Sequence, residues 1–272
     1  MARSSIVRNV GAAAAFVEKL QERGRTGFGL KALLRETGLE PAAARQQLSR
    51  LSSVVHLHPR SDFYLAIDPL HRASGSTPVE WWIDDFFQDL ARPYYIGLLS
   101  AAAIHGSSPQ AIQVTQVVSD AYRPDLRIGR RRIQFTQKGG AGETPVMTPR
   151  GSRTRVMVST PGATVFDLVR FQKKIGGWPR ILDVIDGMAA GDLSADGIAE
   201  ALVPELELKL LQRTGFLLDY LERGKLARPI AERLQGSRLQ PAEIRMSTSV
   251  DAPRIESNPW GVVGTLGARS GS

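Results

Sequence analysis

The stretch TGLEPAAARQQLSRL, residues 37–51, carries side chains that can hydrogen-bond to the edges of DNA bases. A helix that begins near Pro41 would turn Ala44, Leu48 and Leu51 to one side, because successive helical residues are rotated by about 100°. The opposite side would then carry Ala42, Arg45, Gln46, Ser49 and Arg50. In a major groove, arginine pairs with guanine, glutamine pairs with adenine, and small residues allow close approach. The pattern predicts a DNA-reading helix, and an amphipathic helix with a merely solvated face is the alternative.

Two further helices are predicted before this one. Apolar residues recur at helical spacing over residues 11–23, and a shorter apolar pattern runs over residues 28–34. Gly38 follows the second helix, where a tight helix–helix turn needs a positive φ, and Pro41 suits the first turn of the third helix. The order helix, helix, glycine turn, helix is typical of helix-turn-helix DNA-binding proteins.

A β-hairpin is predicted after the third helix. Residues 54–57 and 63–67 are apolar strand patterns on either side of a polar turn, and Arg60 lies in that turn. Three helices and a hairpin indicate a winged helix-turn-helix domain over residues 1–70, and a winged helix that contacts only protein is the alternative. The residues expected to contact DNA are Arg25, Lys31, Ala42, Arg45, Gln46, Ser49, Arg50 and Arg60.

The charge of the chain, +8 in total, is segregated along the sequence. Residues 1–60 contain ten Lys and Arg against four Asp and Glu, and residues 91–160 contain ten against three. Residues 61–90 reverse this balance with one against six, whereas residues 161–272 contain fourteen of each. Clustered cations favour a polyanionic partner, since they release counterions from phosphates. General solubility is the competing explanation of the charge.

The remainder of the chain predicts a second domain of mixed α/β type, so that the fold class is α/β (α+β). Residues 71–80 are rich in Ser, Gly, Thr and Pro and are assigned to a linker, residues 81–240 to the α/β domain with a helical end, and residues 241–272 to a partly flexible extension. The predicted elements are helices over 81–90 and 92–106, a strand over 112–118, a basic strand or hairpin over 127–135, a strand over 153–158, a helix capped by Ser159-Thr160-Pro161, and two or three helices within 178–235.

The sequence offers no convincing catalytic or metal site. Gly106-Ser107 followed by Asp120 and Asp125 resembles a nucleotidyltransferase signature, but two carboxylates on one strand must be two residues apart to share a metal ion. A phosphate-binding glycine loop with lysine, an HExxH motif and a cysteine nucleophile are absent from the sequence. We therefore expect neither an enzyme nor a cofactor.

Isolated polar residues support the same expectation. His105 has no evident triad partners, and His56 and His58 have no third ligand of a suitable type nearby. Asp183 and Asp186 are three residues apart on a predicted helix and are expected to be solvated.

The absence of cysteine suits a cytoplasmic protein. The apolar run 94–104 is shorter than the roughly 20 residues that a membrane helix needs. The first 20 residues mix charge into their apolar run, so they are expected to form a helix and not a signal peptide. No membrane partner is expected.

Several blocks of the sequence, in their order and spacing, resemble a known family. These are YYIGLLSAAAIHG, QVTQVV, RIQF, VSTPGATVFDLVRF, GGWPRILDVI and LQRTGFLLDYL. Together with the N-terminal winged helix they resemble, over residues 5–235, the AbiEi antitoxins of bacterial type IV toxin–antitoxin systems, which act in abortive infection.

The resemblance implies two roles. The winged helix would bind inverted repeats in double-stranded DNA of its own operon promoter and repress transcription, with self-association on the DNA. The C-terminal domain would neutralise a cognate nucleotidyltransferase toxin of the AbiEii type, for which a stable complex is not required. A plain transcriptional regulator, whose second domain senses a ligand or mediates oligomerisation, is the alternative function.

A second basic surface is predicted in the α/β domain, and its partner is left open. On a continuous strand, alternation would place Arg127 and Arg131 on one side and Arg130 and Arg132 on the other, so they could not all face DNA. An acidic toxin and RNA are equal candidates, and a solvated charged strand is the plain alternative. The residues of this surface are Arg123, Arg127, Arg130, Arg131, Arg132 and Arg153.

Overall fold

The N-terminal part combines three helices with a small antiparallel sheet. The structure is a computed structural model that describes residues 11–58, 61–107, 114–249 and 251–267. The elements are α1 (Ala12–Glu22), β1 (Gly27–Gly29), α2 (Leu30–Thr37), α3 (Pro41–Ser49), β2 (Val54–His58) and β3 (Ser61–Ala66), and the strand order is β1-β3-β2. The three helices and the hairpin lie where the sequence predicts them, whereas Arg60 lies outside the described residues.

Strand β3 has apolar side chains on both faces. Tyr64 and Ala66 pack with α1, α2 and α3. Phe63 and Leu65 point the other way, into a core shared with the following part of the chain. The apolar run FYLAI arises because a strand covered on both sides needs apolar residues at consecutive positions.

A six-stranded mixed sheet forms the centre of the second part. The elements that follow β3, up to and including this sheet, are two 3₁₀ helices (Pro69–Ser74 and Val79–Trp81), α4 (Ile83–Asp89), β4 (Tyr94–Ile96), α5 (Leu98–Ile104), β5 (Val114–Ser119), β6 (Leu126–Ile128), β7 (Arg131–Gln137), a 3₁₀ helix (Ala141–Glu143), β8 (Val146–Met147) and β9 (Val158–Ser159). The strand order is β6-β7-β5-β4-β9-β8, and β5 pairs in parallel with β7 but antiparallel with β4.

Two predicted elements differ from the structure. The helix predicted over 92–106 is wrong in its first half, because Tyr94–Ile96 is the central strand β4 and helix α5 begins only after Gly97. Pro93 and the aromatic pair favour an extended chain. The strand predicted over 153–158 shrinks to Val158–Ser159, and residues 112 and 113 of another predicted strand lie outside the described residues.

Helices of the C-terminal end cover the face of the sheet opposite to the one that packs against β3 and α4. They are α6 (Pro161–Arg170), a 3₁₀ helix (Gln172–Lys174), α7 (Gly177–Ala189), α8 (Ala195–Glu200), α9 (Leu208–Tyr220) and α10 (Gly224–Leu234). The predicted cap is confirmed, since the Thr160 hydroxyl accepts a hydrogen bond from the Ala163 N–H. The structure has four helices within the described residues after Gly176, where the sequence predicts two or three.

The C-terminal extension packs onto these helices. Strands β10 (Ala242–Arg245) and β11 (Val262–Thr265) form a parallel pair. The Trp260 ring lies so close to α9 that a Cβ atom on Gly215 would stand 2.1 Å from it, and the Trp260 indole N–H donates to Asp219 over 2.6 Å. Packing therefore continues across residue 240.

The segment assigned to a linker is also packed. Ser76, Thr77 and Val79 are buried, and Trp82 lies fully buried in the core that β3 shares with α4 and the six-stranded sheet. The N-terminal unit is thus fixed against one face of the second part by apolar contact. The limits of the domains stay a prediction.

Candidate nucleic-acid interface

Helix α3 presents the polar face that the sequence predicts. Ala42, Arg45, Gln46, Ser49 and Arg50 are all exposed. On the opposite side, Ala44 and Leu48 are buried in the N-terminal core. The helix therefore keeps its potential base-contacting groups together on its solvent side.

The position of α3 is fixed by contacts with the two preceding helices. The Gln47 side-chain oxygen accepts a hydrogen bond from the Ala13 N–H over 3.0 Å, which links α3 to the start of α1. Gly38 has φ of 66° in the turn after α2, a conformation that glycine adopts without strain. Pro41 lies in the first turn of α3, as predicted.

Arg45 forms an ion pair near the tip of the hairpin. Its Nη2 atom lies 3.0 Å from an oxygen of Asp62, the second residue of β3. Both side chains are about half exposed, at 48% and 52%. An exposed pair of this kind contributes only about 0–1 kcal/mol, so a phosphate or a base can replace the carboxylate at small cost. Arg50, by contrast, has no carboxylate partner among the described residues.

Arg25 is not a free cation. Its guanidinium donates to Asp85 of α4 over 2.5 Å and so links the N-terminal unit to the second part. Lys31 is exposed near Asp89, whose carboxylate lies where a Cβ atom on Gly29 would stand. The acidic residues from the stretch 61–90 therefore lie against cations of the first basic block. The charge reversal between the blocks is the signal in the sequence for this pairing, because the helical pattern of each segment alone does not show which charges meet.

Burial raises the pKa values of the two acidic residues that lie beside Arg25 and Lys31. Burial raises the pKa of the Asp85 carboxyl above its ordinary value, and the ion pair with Arg25 opposes this rise without cancelling it. Burial also raises the pKa of Asp89, opposed by the charge of Lys31. In both residues the ionised form is thus less favourable in the folded chain than in the unfolded one.

We predict a distinct pH dependence for Asp85→Asn. A raised folded-state pKa means that, above about pH 4, the folded state retains a proton that the unfolded state has lost, so the contribution of Asp85 to stability falls as pH rises. The variant lacks this titration, so its stability relative to the natural chain should increase between about pH 4 and pH 7. Urea unfolding of both proteins at several pH values measures the difference. A difference that stays constant or reverses its slope would contradict the assignment.

Two arginines of the predicted second basic surface contact aromatic rings. The Arg123 guanidinium lies over the rings of Phe86 and Phe87, at 5.6 and 5.4 Å from their centroids, and burial lowers its pKa. Arg153 stacks on Trp81 at 4.1 Å. These two arginines pack on aromatic rings of the fold.

The basic segment is a hairpin and not a single strand. Arg127 of β6 lies directly opposite Arg132 of β7, so the two share a face of the sheet, and the predicted alternation that separated them is wrong. Arg132 is 3.4 Å from Asp125. Arg127, Arg130 and Arg131 are exposed, and the Arg130 N–H donates to the Ser74 carbonyl, which holds the hairpin tip against the segment after β3.

The residues considered for catalysis have structural partners. His105 is buried and its Nε2 atom hydrogen-bonds with the Ser159 carbonyl over 2.7 Å. Asp120 pairs with Arg92 and Asp125 with Arg132. Asp186, which we expected to be solvated, forms an ion pair with Arg223 and is about half exposed.

The described ranges also contain no group of three or more His, Cys, Asp and Glu side chains placed to hold a metal ion. His56 stacks on Tyr64 at 4.7 Å, whereas the side chain of His58 is outside what the structure describes. Within the described part, no helix has the length and apolar character needed to cross a bilayer.

A buried ionic network lies under the central sheet. The Lys138 ammonium is 2.7 Å from one oxygen of Asp167, and the Tyr95 hydroxyl donates to the other oxygen over 2.6 Å. Lys138 also donates to the Thr144 hydroxyl. Burial and the neighbouring Asp167 carboxylate raise the pKa of Tyr95, which keeps the phenol protonated as a donor. The members of this network lie on separate elements, so no local sequence pattern predicts it.

The fold defines a two-part α/β protein: a three-helix unit with an exposed polar helix is packed on a mixed sheet with a helical end. Residues 95–220 match the family described as the AbiEi antitoxin C-terminal domain. These residues are therefore similar to the C-terminal domain of the AbiEi antitoxins, in agreement with the resemblance that the sequence blocks predict. All four residues of the buried network lie within this range.

A solved structure has a similar fold. The crystal structure of the RV2827C protein from Mycobacterium tuberculosis superimposes with a TM-score of 0.60 at 17% sequence identity. The match covers 94% of this chain and 92% of that chain. At this identity the similarity establishes the fold alone. No protein in the curated comparison matches the sequence.

Proposed function

We propose that this protein is an autoregulatory antitoxin. Its N-terminal unit, residues 1–70, acts as a winged helix-turn-helix domain that binds inverted repeats in the promoter of its own operon and represses transcription. Its α/β domain, residues 81–240, neutralises a cognate nucleotidyltransferase toxin in the cytoplasm. The AbiEi domain supports the antitoxin role, and the N-terminal geometry supports the DNA-binding role.

The observation that carries the DNA-binding proposal is the exposed face of α3. Gln46 and Ser49 lie there between Arg45 and Arg50, and the small residue Ala42 leaves room for close approach to a base pair. The glycine turn before α3 and the hairpin after it support the proposal of a winged helix. Because inverted repeats present two half-sites, we infer that two copies of the chain bind one operator.

Acidic residues next to several of these cations affect how much each cation contributes to DNA binding. Asp62 holds Arg45 beside the hairpin in the free protein, and DNA binding exchanges this weak pair for a contact with a base or phosphate. Arg25 and Lys31 carry less of the binding than the sequence predicts, since acidic residues already lie against them. Arg127, Arg130 and Arg131 form the remaining second basic surface, for which DNA backbone, RNA and an acidic toxin stay alternatives.

Co-expression with the product of the adjacent gene tests the antitoxin role. We expect the natural chain to restore growth of cells that express the toxin. We also expect Arg45→Ala/Gln46→Ala to restore growth equally when both are expressed from a foreign promoter, because α3 is remote in sequence from the AbiEi domain. Colony counts with and without induction measure the rescue.

The outcomes separate the proposed roles. Failure of the natural chain to rescue growth, with promoter binding retained, would leave a plain transcriptional regulator and refute the antitoxin proposal. Failure of the α3 variant alone, at an equal level of folded protein, would show that the two roles are not separable.

A further inference from the structure

A basic cavity lies at the helical end of the molecule, built from elements after β9. It has a volume of about 730 Å³, and its walls come from the end of α6, the 3₁₀ turn that follows, the start of α7, and parts of α9 and β10. No residue of the N-terminal unit lines it among those described. The cavity is therefore separate from the proposed DNA surface.

The lining concentrates positive charge. Five cationic side chains face this space, against a single carboxylate, Glu243, among the described lining residues. The cations are Arg170, Lys173, Lys174, Arg213 and Arg245. Residues 161–272 have no net charge in the sequence, so the concentration arises only when separate elements meet.

The available counter-charges do not neutralise this cluster. Glu243 pairs with Arg245, and its backbone carbonyl accepts from the Arg213 Nε–H over 3.0 Å. Arg170 pairs with Glu207 through one terminal nitrogen, but its Nε atom is buried without a hydrogen-bond partner in the described structure. Lys173 and Lys174 are exposed and have no carboxylate partner among the described residues.

The shape and chemistry of the cavity select a small phosphorylated molecule. Its volume falls within the roughly 300–1,000 Å³ typical of small-ligand sites. Guanidinium groups bind phosphate oxygens in pairs, and lysines add point charges. Phe171 also lines the cavity and is partly exposed, with the Lys174 ammonium 5.6 Å from the centroid of its ring, whereas Trp178 of the same lining is almost fully buried. The five cations line one space, which suits a compact polyphosphate better than a nucleic-acid strand that needs an extended groove.

We propose that this cavity binds a nucleotide, with the polyphosphate held by Arg170, Lys173, Lys174, Arg213 and Arg245. The base then lies beside Phe171, the partly exposed aromatic residue of the lining. This site does not depend on the proposed binding of promoter DNA.

Titration calorimetry of the full chain tests the site, with ATP and inorganic tripolyphosphate as the two probes. We expect saturable binding of ATP at one site per chain, and weaker binding of tripolyphosphate because it lacks the base. Lys173→Ala/Lys174→Ala should weaken ATP binding by about tenfold or more, since two charge-assisted contacts to phosphate are lost. Both lysines are exposed, so their removal leaves the core intact.

A matched control has the same loss of charge outside the cavity. Lys225→Ala/Arg233→Ala removes two exposed cations of α10 and should leave ATP binding within about twofold of the natural chain. Absence of saturable binding of both probes up to millimolar concentration, or an equal loss in the control, overturns the proposal. Equal binding of a phosphate-free polyglutamate peptide, with the same sensitivity to the Lys173 and Lys174 substitutions, also overturns it and assigns the cavity to an acidic protein partner.

Discussion

Arg45→Ala/Gln46→Ala is expected to abolish specific binding to the operon promoter while the protein stays folded. A side chain that pairs with a base edge contributes about 1–3 kcal/mol, so the loss of two such groups should cost about 2–6 kcal/mol of binding free energy. Both side chains are exposed on α3 and neither belongs to the N-terminal core. Fluorescence anisotropy with a promoter duplex measures the loss, and thermal unfolding verifies the fold.

The control for this variant removes the same residue types elsewhere. Arg238→Ala/Gln240→Ala changes two exposed positions between α10 and β10 and should leave promoter affinity within about twofold of the natural value. Binding of the α3 variant at natural strength would refute the assignment of α3 as the recognition helix. Equal weakening by the control would show that net charge alone is responsible.

The substitution Asp62→Asn tests whether Arg45 needs its ion pair with Asp62 in order to contact DNA. This substitution releases Arg45 and removes a negative charge beside α3, so promoter binding should be at least as tight as in the natural chain. A weaker complex would mean that Asp62 is needed to position Arg45.

Asp167→Ala is expected to destabilise the protein by about 3–5 kcal/mol, because it leaves a buried cation without its counter-ion. The Lys138 side chain is only 11% exposed and Asp167 only 1%. The Tyr95 hydroxyl loses its acceptor at the same time. Urea unfolding, with the free energy of unfolding extrapolated to water, measures the effect.

A double substitution distinguishes the unpaired charge from a loss of packing. Lys138→Met/Asp167→Leu replaces both charges by apolar side chains, so it should recover most of the lost stability. Recovery would assign the cost of Asp167→Ala to the unpaired Lys138. A loss below about 1 kcal/mol in Asp167→Ala would instead show that Lys138 reaches solvent readily, and would contradict the network as described.

The contrast between α3 and β4 shows what local sequence can predict. Helix α3 was predicted correctly because its pattern is local: apolar residues at helical spacing, a glycine before it and a proline in its first turn all act within fifteen residues. Strand β4 was missed because the run YYIGLLSAAAI suits either a buried strand or a buried helix. Its conformation is decided by pairing with β5 and β9, which lie further along the chain.

The sequence by itself determined the polar face of α3, the capped start of α6 and the resemblance to the AbiEi family, since each depends on the order and spacing of nearby residues. Only the tertiary structure decided which cations are available to a partner. Arg25 meets Asp85 from sixty residues away, and Arg123 packs on aromatic rings of α4. The basic cavity also gathers residues from a segment that is neutral in sequence. Charge in a sequence is a sum, whereas binding depends on which charges the fold leaves unpaired and brings together.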